Sequence, residues 1–380
     1  MKSFVDIEQT FSGQPARLGP VLQRVDIGRG REELFRDQLP ELLRTLAHNA
    51  RIESIRASNA IEGVEVDDER AERLAGGARF RNRNEREFAG YRDAVDEVMQ
   101  ADPESISVPL ILHYHRQVFQ HVGGRGGSFK SDDNAIVSYE SGRRQVVFKP
   151  VSAQKTPFMT TELVARYHDA QVGGLAHPLV LLSAFVLDLL AIHPVADGNG
   201  RVARLVTARE LFQLGYGVAR YVSIEQQIFE TKNGYYAALY ESQRGWHDGE
   251  HTIWPWTEYL VGALAQTYRR FEDRVAAERG AEGTSKQQRV REYILHQAAS
   301  RFTIAEIRRA VPGTSDQTIR LVLNACRDTG KIRAEGTGRS AVWVRATHPV
   351  PAPATTPTTP NDTKGHEHAT RHPRGSAPTG

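Results

Sequence analysis

The sequence predicts a mainly α-helical protein with one small β-hairpin and a short helical module near the C-terminus. Three observations carry that prediction. Leu181, Leu182, Phe185, Val186, Leu189 and Leu190 recur at helical spacing inside the apolar run Leu179–Ile192. One strand–turn–strand signal stands out, with Ile136, Val137 and Tyr139 before Glu140-Ser141-Gly142 and Val146-Val147-Phe148 after it. Beyond Thr284, three short amphipathic stretches run into a second, smaller signal of the same kind.

Taken in order, residues 1–30 read as irregular, because Gly13, Pro15, Gly19, Pro20 and Gly28 punctuate them. Helices are expected near 31–60 and near 83–100, the latter with Phe88, Tyr91, Ala94, Val95 and Val98 on one face. Leu110, Ile111, His115, Val118 and Phe119 suggest another buried helix. His113 and His115 lack a second ligand pair at metal spacing, so they read as packing or surface residues. The Gly-rich stretch Gly123–Gly127 ends that helix, and without a preceding strand it is no dinucleotide fingerprint.

The most informative stretch is His193-Pro194-Val195-Ala196-Asp197-Gly198-Asn199-Gly200-Arg201-Val202-Ala203-Arg204. Pro194 disfavours helical geometry before it, which places His193 at the exit of the apolar helix. Gly198 and Gly200 allow backbone angles that other residues resist and let a ligand approach the main chain. Helical periodicity resumes at Arg201, so the loop feeds a helix N-terminus, where free N–H groups favour phosphate. Arg201 and Arg204 are three apart, neighbours on one helical face, and can clamp a second phosphate.

This constellation resembles the signature of the Fic family, His-Pro-Phe-x-Asp/Glu-Gly-Asn-Gly-Arg-x-x-Arg. It departs only at Val195, where an apolar replacement should loosen packing more than chemistry. The resemblance implies a Fic helical core over residues 108–274, its hairpin a flap over the active site against which a target segment pairs. It implies transfer of AMP from ATP to a Ser, Thr or Tyr hydroxyl, with release of pyrophosphate. His193 would be the base, with an ordinary pKa near ~6.5 that leaves it mostly neutral at neutral pH. Asp197 would hold Mg²⁺, the main chain around Gly198, Asn199 and Gly200 would cradle phosphate oxygens, and Arg201 would neutralise the leaving pyrophosphate. Arg204 would hold the γ-phosphate. Tyr236 is a candidate contact for the adenine or ribose, although aromatics at helical spacing more often belong to a core.

Upstream, Ser58-Asn59-Ala60-Ile61-Glu62-Gly63 resembles the inhibitory motif of the same family, Ser/Thr-x-x-x-Glu-Gly/Asn. Ser58 and Glu62 lie one turn apart, and Gly63 is a natural helix stop. A carboxylate in a last turn opposes the helix dipole by roughly 0.3–1 kcal/mol, so a cationic partner is expected. The family's partner corresponds to Arg204. The alternative is that Asn59 and Glu62 cap the start of a helix and Glu62 is merely solvated. The segment 1–107 is then an N-terminal helical region with the inhibitory helix. Two further functions stay open: removal of AMP by a water that Glu62 activates, and a DNA-binding regulator whose Fic core senses nucleotide.

Residues 284–345 carry 12 Lys and Arg against 5 Asp and Glu, a net of +7 in a chain whose total is +3. Pro312-Gly313 separates the second and third helices, Ser315 is placed to cap the third, and Ile332 to Val344 reads as a β-wing turning at Gly336–Gly338. The module resembles a winged helix-turn-helix, which implies Thr318 and Arg320 as readers of a DNA groove and Arg333 and Arg339 as phosphate contacts. Such modules also bind proteins. Residues 348–380, rich in Pro, Thr, Gly, Ser and Ala, are expected to be disordered. The one cysteine, Cys326, excludes an intrachain disulfide framework and reads as a small core residue. The start Met-Lys-Ser-Phe-Val-Asp shows no signal peptide, and no run reaches the ~18 apolar residues of a membrane span, so a cytoplasmic location is expected. The expected partners are ATP, a target protein, DNA in one reading, and a second copy of the chain as a homodimer.

Overall fold

The structure is a computed structural model that describes residues 2–75, 77–100, 105–123, 126–140, 143–281, 286–336 and 341–346. The hairpin turn Ser141-Gly142, Gly338 of the wing, Arg339 and the tail 348–380 lie outside the described residues. Helices α1 (Ile7–Ser12), α2 (Leu18–Gln38), α3 (Pro40–Ile61), α4 (Asp68–Ala75), α5 (Arg83–Gln100) and α6 (Val108–Phe119) come first. Strands β1 (Ile136–Glu140) and β2 (Arg143–Phe148) follow, then α7 (Thr156–Val172), α8 (Pro178–Ile192) and α9 (Asn199–Gln213). Helices α10 (Ile224–Glu230), α11 (Lys232–Gln243) and α12 (Trp254–Ala281) complete the larger part.

Every residue of α8 from Leu179 to Ile192 is buried, as expected of a helix apolar on all sides. It is the central rod, with α7, α9, α11 and α12 packed around it. One hydrophobic core runs from Phe4 to Val275 and includes residues of α2, α3 and α5 as well as α8. β1 and β2 pair antiparallel, Val137 opposite Val146, with a register shift at the Ile136 end. The described residues contain no helix long and apolar enough to cross a membrane.

The reading of residues 1–30 as irregular is wrong: α1 and most of α2 occupy them. Pro20 sits in the first turn of α2, where a missing N–H breaks no helical bond. Gly28 is there for packing, since a Cβ would lie 2.6 Å from a ring carbon of Tyr268 on α12. Glycine and proline thus mark a close helix–helix approach and a helix start, not a loop.

The smaller part comprises α13 (Lys286–Glu292), a π-helical turn at Tyr293–Gln297, β3 (Arg301–Phe302), α14 (Ile304–Ala310), α15 (Asp316–Asp328), β4 (Ile332–Glu335) and β5 (Val342–Arg345). Its sheet has the order β3-β5-β4, and its own core includes Ile294, Phe302, Ile319, Leu323 and Trp343. Ser315 Oγ accepts from Thr318 N at 3.2 Å and so caps α15, and Cys326 is buried in the small core. This part is bonded to α3: Asn49 Nδ2 donates to Gln297 O at 3.2 Å, and Glu53 accepts from Ser300 N at 2.6 Å.

Asp188, wholly buried in α8, ties the N-terminus to the segment after α11. It accepts from Ser3 N at 3.0 Å, Ser3 Oγ at 2.8 Å and Trp246 Nε1 at 2.6 Å. Asp188→Ala leaves those donors buried without this acceptor, at about 1–3 kcal/mol for each unsatisfied group. We expect a loss of about 3 kcal/mol or more, measured by urea unfolding; a variant within 1 kcal/mol of wild type contradicts this account.

Candidate active site

The site is built where α8 stops and α9 starts. Pro194 cannot continue the helix, and His193 takes a left-handed conformation, φ 55°, alone among the described non-glycine residues. Such a conformation costs roughly 1–2 kcal/mol. His193 Nδ1 lies 3.1 Å from Leu190 O. A carbonyl can only accept, so Nδ1 carries the proton and Nε2 keeps a bare lone pair. Burial pushes the imidazole pKa down to about 4, against the pull of the Leu190 carbonyl, and the nearby Lys130 adds to the depression.

Lys130 escaped the sequence reading. Its ammonium, nearly buried, donates to Ile192 O at 3.1 Å and to Asn134 Oδ1 at 2.9 Å, capping the last carbonyl of α8. Lys130 N also donates to Pro194 O at 3.0 Å, and Asn134 Nδ2 to Val195 O at 3.3 Å. The segment leading into β1 is therefore fastened to the loop. Val195, the one departure from the signature, is completely buried, as an apolar core position requires.

Asn199 closes the turn by pairing twice with Val195: its Oδ1 accepts from Val195 N at 3.0 Å and its Nδ2 donates to Val195 O at 2.7 Å. Its side chain is thus committed to the loop, leaving only its main chain for a ligand. Gly198 has φ 79°, and a Cβ there would lie 2.8 Å from the ring of Phe119. A Cβ on Gly200 would lie 2.3 Å from Glu62 Oε1, so that glycine makes room for a carboxylate. Asp197 Oδ1 accepts from Gly198 N at 2.7 Å, and its Oδ2 from Arg83 Nη2 at 2.9 Å.

The two arginines do not share a partner. Arg201 is 2% exposed, its Nη2 2.7 Å from Glu87 Oε2 of α5 and its guanidinium 5.1 Å from the Phe119 ring centre. Arg204 Nε donates to Ser58 Oγ at 2.7 Å, and its Nη2 to Ser58 O at 3.0 Å and to Glu62 Oε1 at 2.8 Å. Burial opposes ionisation of Glu62, but Arg204 outweighs it and holds the carboxyl below its ordinary range. Glu62 follows the last turn of α3, so the alternative that it opens a helix is excluded. Lys232 Nζ donates to Ile61 O at 2.7 Å at that helix end. Tyr236 is 45% exposed beside Lys232, a ring open to a ligand and not a core residue. His113 pairs with Glu97 and His115 is buried with its Nδ1 accepting from Gly127 N, so neither points to a metal.

Three buried guanidinium nitrogens, Arg201 Nε and Nη1 and Arg204 Nη1, have no hydrogen-bond partner among the described residues. The first N–H groups of α9 are, separately, the kind of unbonded donors that receive phosphate oxygens at a helix N-terminus. No group of three or more metal-ligating side chains occurs among the described residues. Asp197 by itself fits a hard cation whose other ligands are waters and phosphate oxygens.

Residues 105–211 match the model of the Fic/DOC family. No curated protein matches the chain. A Fic family protein from Desulfovibrio desulfuricans G20 is similar in structure, with TM-score 0.56 and 18% identity, over 88% of this chain and 98% of that one. A Fic domain containing signaling protein from Bacteroides thetaiotaomicron VPI-5482 has TM-score 0.56 and 21% identity, over 69% of this chain and 98% of its own. At these identities the likeness is one of fold.

A histidine held near 4 stays neutral as pH falls from 7. The unfolded chain takes up that proton below ~6.5, so this group removes stability between pH 6.5 and about 4 and none above. Ring NMR shifts of His193 should show a midpoint near 4, and a midpoint at or above 6.5 refutes the buried-base geometry.

Proposed function

With a Fic/DOC domain at residues 105–211 as the premise, we propose that the chain transfers AMP from ATP to a Ser, Thr or Tyr hydroxyl of a protein, itself included. The observation that carries this reading is His193, whose Nδ1 is held by Leu190 O so that Nε2 keeps a lone pair, a few residues before the N-terminus of α9, a kind of helix end that favours phosphate. The target hydroxyl gives its proton to Nε2 as its oxygen bonds to the α-phosphorus. The bond from that phosphorus to the bridging oxygen breaks, and pyrophosphate leaves with its charge met by Arg201, Arg204 and the first N–H groups of α9. Asp197 would hold Mg²⁺, which supplies neutralisation of the phosphate oxygens when bound.

We further propose that Glu62 inhibits this reaction. It occupies one face of Arg204 and fills the space beside Gly200, where a phosphate oxygen would otherwise sit. ATP entering beside it is misaligned for in-line attack, and a shift of about an ångström costs on the order of 10²-fold in rate. The small C-terminal part supports a second, separate reading as a winged helix that binds DNA. The exposed face of α15 presents Gln317, Arg320 and Asn324 beside a helix start capped by Ser315. Arg333 is engaged by Glu335 at 2.9 Å, so α15 carries this reading more than the wing does.

Incubation of the purified chain with α-labelled ATP and Mg²⁺ tests the first reading. His193→Ala should lose about 10²–10⁴ in rate while folding normally. Glu62→Gly should raise self-labelling by about 10²-fold, and Glu62→Gly with Arg204→Ala should stay slow because the clamp is gone. Equal labelling by wild type and His193→Ala overturns the mechanism. Unchanged labelling in Glu62→Gly overturns inhibition, and loss of AMP removal from a modified target in that variant supports the water-activating alternative. For the DNA reading, affinity for duplex DNA should fall steeply between 50 and 200 mM salt, as is general for phosphate contacts, and drop in Arg320→Ala. No binding at about 50 mM salt favours a protein partner.

A further inference from the structure

The signature does not include every charged group at its own carboxylate. Arg83, in the first turn of α5, donates from Nη2 to Asp197 Oδ2 at 2.9 Å. Its Nε donates to Glu87 Oε1, and the other oxygen of Glu87 holds Arg201 at 2.7 Å. Asp197, Arg83, Glu87 and Arg201 thus form one alternating ladder of charge. Its two ends differ. Arg201 and Glu87 are 2% and 5% exposed, whereas Arg83 and Asp197 are 52% and 59% exposed. The inner pair is held by burial, because separating it strands a charge in the interior. The outer pair is wet and can open at small cost.

Both oxygens of Asp197 are engaged: Oδ1 accepts from Gly198 N at 2.7 Å, a neutral main-chain donor, and Oδ2 accepts from the Arg83 guanidinium. The positive charge already on this carboxylate is therefore that of Arg83, on Oδ2, and a cation binding through Oδ2 has to displace it. Glu87 gives that guanidinium somewhere to remain when it lets go, since the bond through Nε is independent of Nη2.

We propose that Arg83 is a positioning residue that stands in for the divalent cation at Asp197 and withdraws onto Glu87 when Mg²⁺ enters with ATP. The proposal rests on the reading of Asp197 as the metal-holding carboxylate. It gives the chain a site that is charge-balanced without metal and sets the cation concentration needed to load it. An exposed ion pair of this kind is equivalent to about a two- to fivefold competition in binding. Arg83 touches neither ATP nor the target in this account. A purely structural arginine would weaken metal binding when removed, or leave it alone, so the direction of the change is diagnostic.

The test measures Mn²⁺ binding, followed by the loss of its free electron paramagnetic resonance signal. It uses the full chain carrying Glu62→Gly, with α,β-methylene ATP, which cannot release AMP. Arg83→Gln should bind Mn²⁺ about two- to fivefold more tightly, and Arg83→Lys, which keeps a charge, should return towards the parent value. Asp197→Asn should lose the tight site. If Asp197→Asn loses it while Arg83→Gln binds Mn²⁺ equally or less tightly, the stand-in role is wrong and the metal assignment survives. If Asp197→Asn binds as the parent does, the metal assignment itself falls, and this proposal with it.

Discussion

Asn199 closes the turn between α8 and α9 with its paired bonds to Val195, and the charged groups of the site are arranged around that closure. It fixes where α9 begins and therefore where its unbonded N–H groups point. It also brings His193, at the end of a fully buried helix, against a loop lined by donors. A helix buried on every side has no reason to stop from its own periodicity. Proline, a left-handed histidine and a side-chain staple together impose the stop, and Lys130 satisfies the carbonyl of Ile192, the last of the helix.

From that turn the electrostatics divide in two. Arg201 faces α5 and Arg204 faces α3, each against one carboxylate, although they stand only three positions apart in one helix. Both guanidinium groups are almost fully removed from water, where unmatched charge is expensive, so each needs its carboxylate. Glu62 is the more accessible of the two acids at 29% exposure against 5% for Glu87. That contrast separates their surroundings: Glu87 is enclosed in the interior, and Glu62 sits at its edge. α3 spans the distance from this edge to the small C-terminal part, bonded at Asn49 and Glu53 to residues 297 and 300 and at Ser58 to Arg204.

Much of this was legible in the sequence because it is local. Helical spacing identified α8, the Pro194 stop placed His193, and the two glycines marked the loop. The Ser58-x-x-x-Glu62 spacing placed both side chains on one side of a helix end, and the expected cation proved to be Arg204. The burial of Val195 and Cys326 and the cap at Ser315 likewise follow from short-range pattern. The irregular reading of residues 1–30 failed for the opposite reason: Gly28 serves a contact with Tyr268, which no local pattern reports.

The sequence by itself therefore determined α8, the loop after it, the glycines of that loop and the residue types available at the α8–α9 turn. Dihedral preferences and a period of 3.6 residues act within a few positions of one another. Only the tertiary structure decided which acid each arginine receives, that Lys130 and Asn134 brace the turn, and that Arg83 reaches Asp197. These are pairings across the chain, Arg83 to Asp197 over 114 residues and Glu62 to Arg204 over 142, and Coulomb attraction leaves no period in a sequence. For Arg201 and Arg204 burial chooses among the many acids available, because an ion pair gains strength where packing has already excluded water.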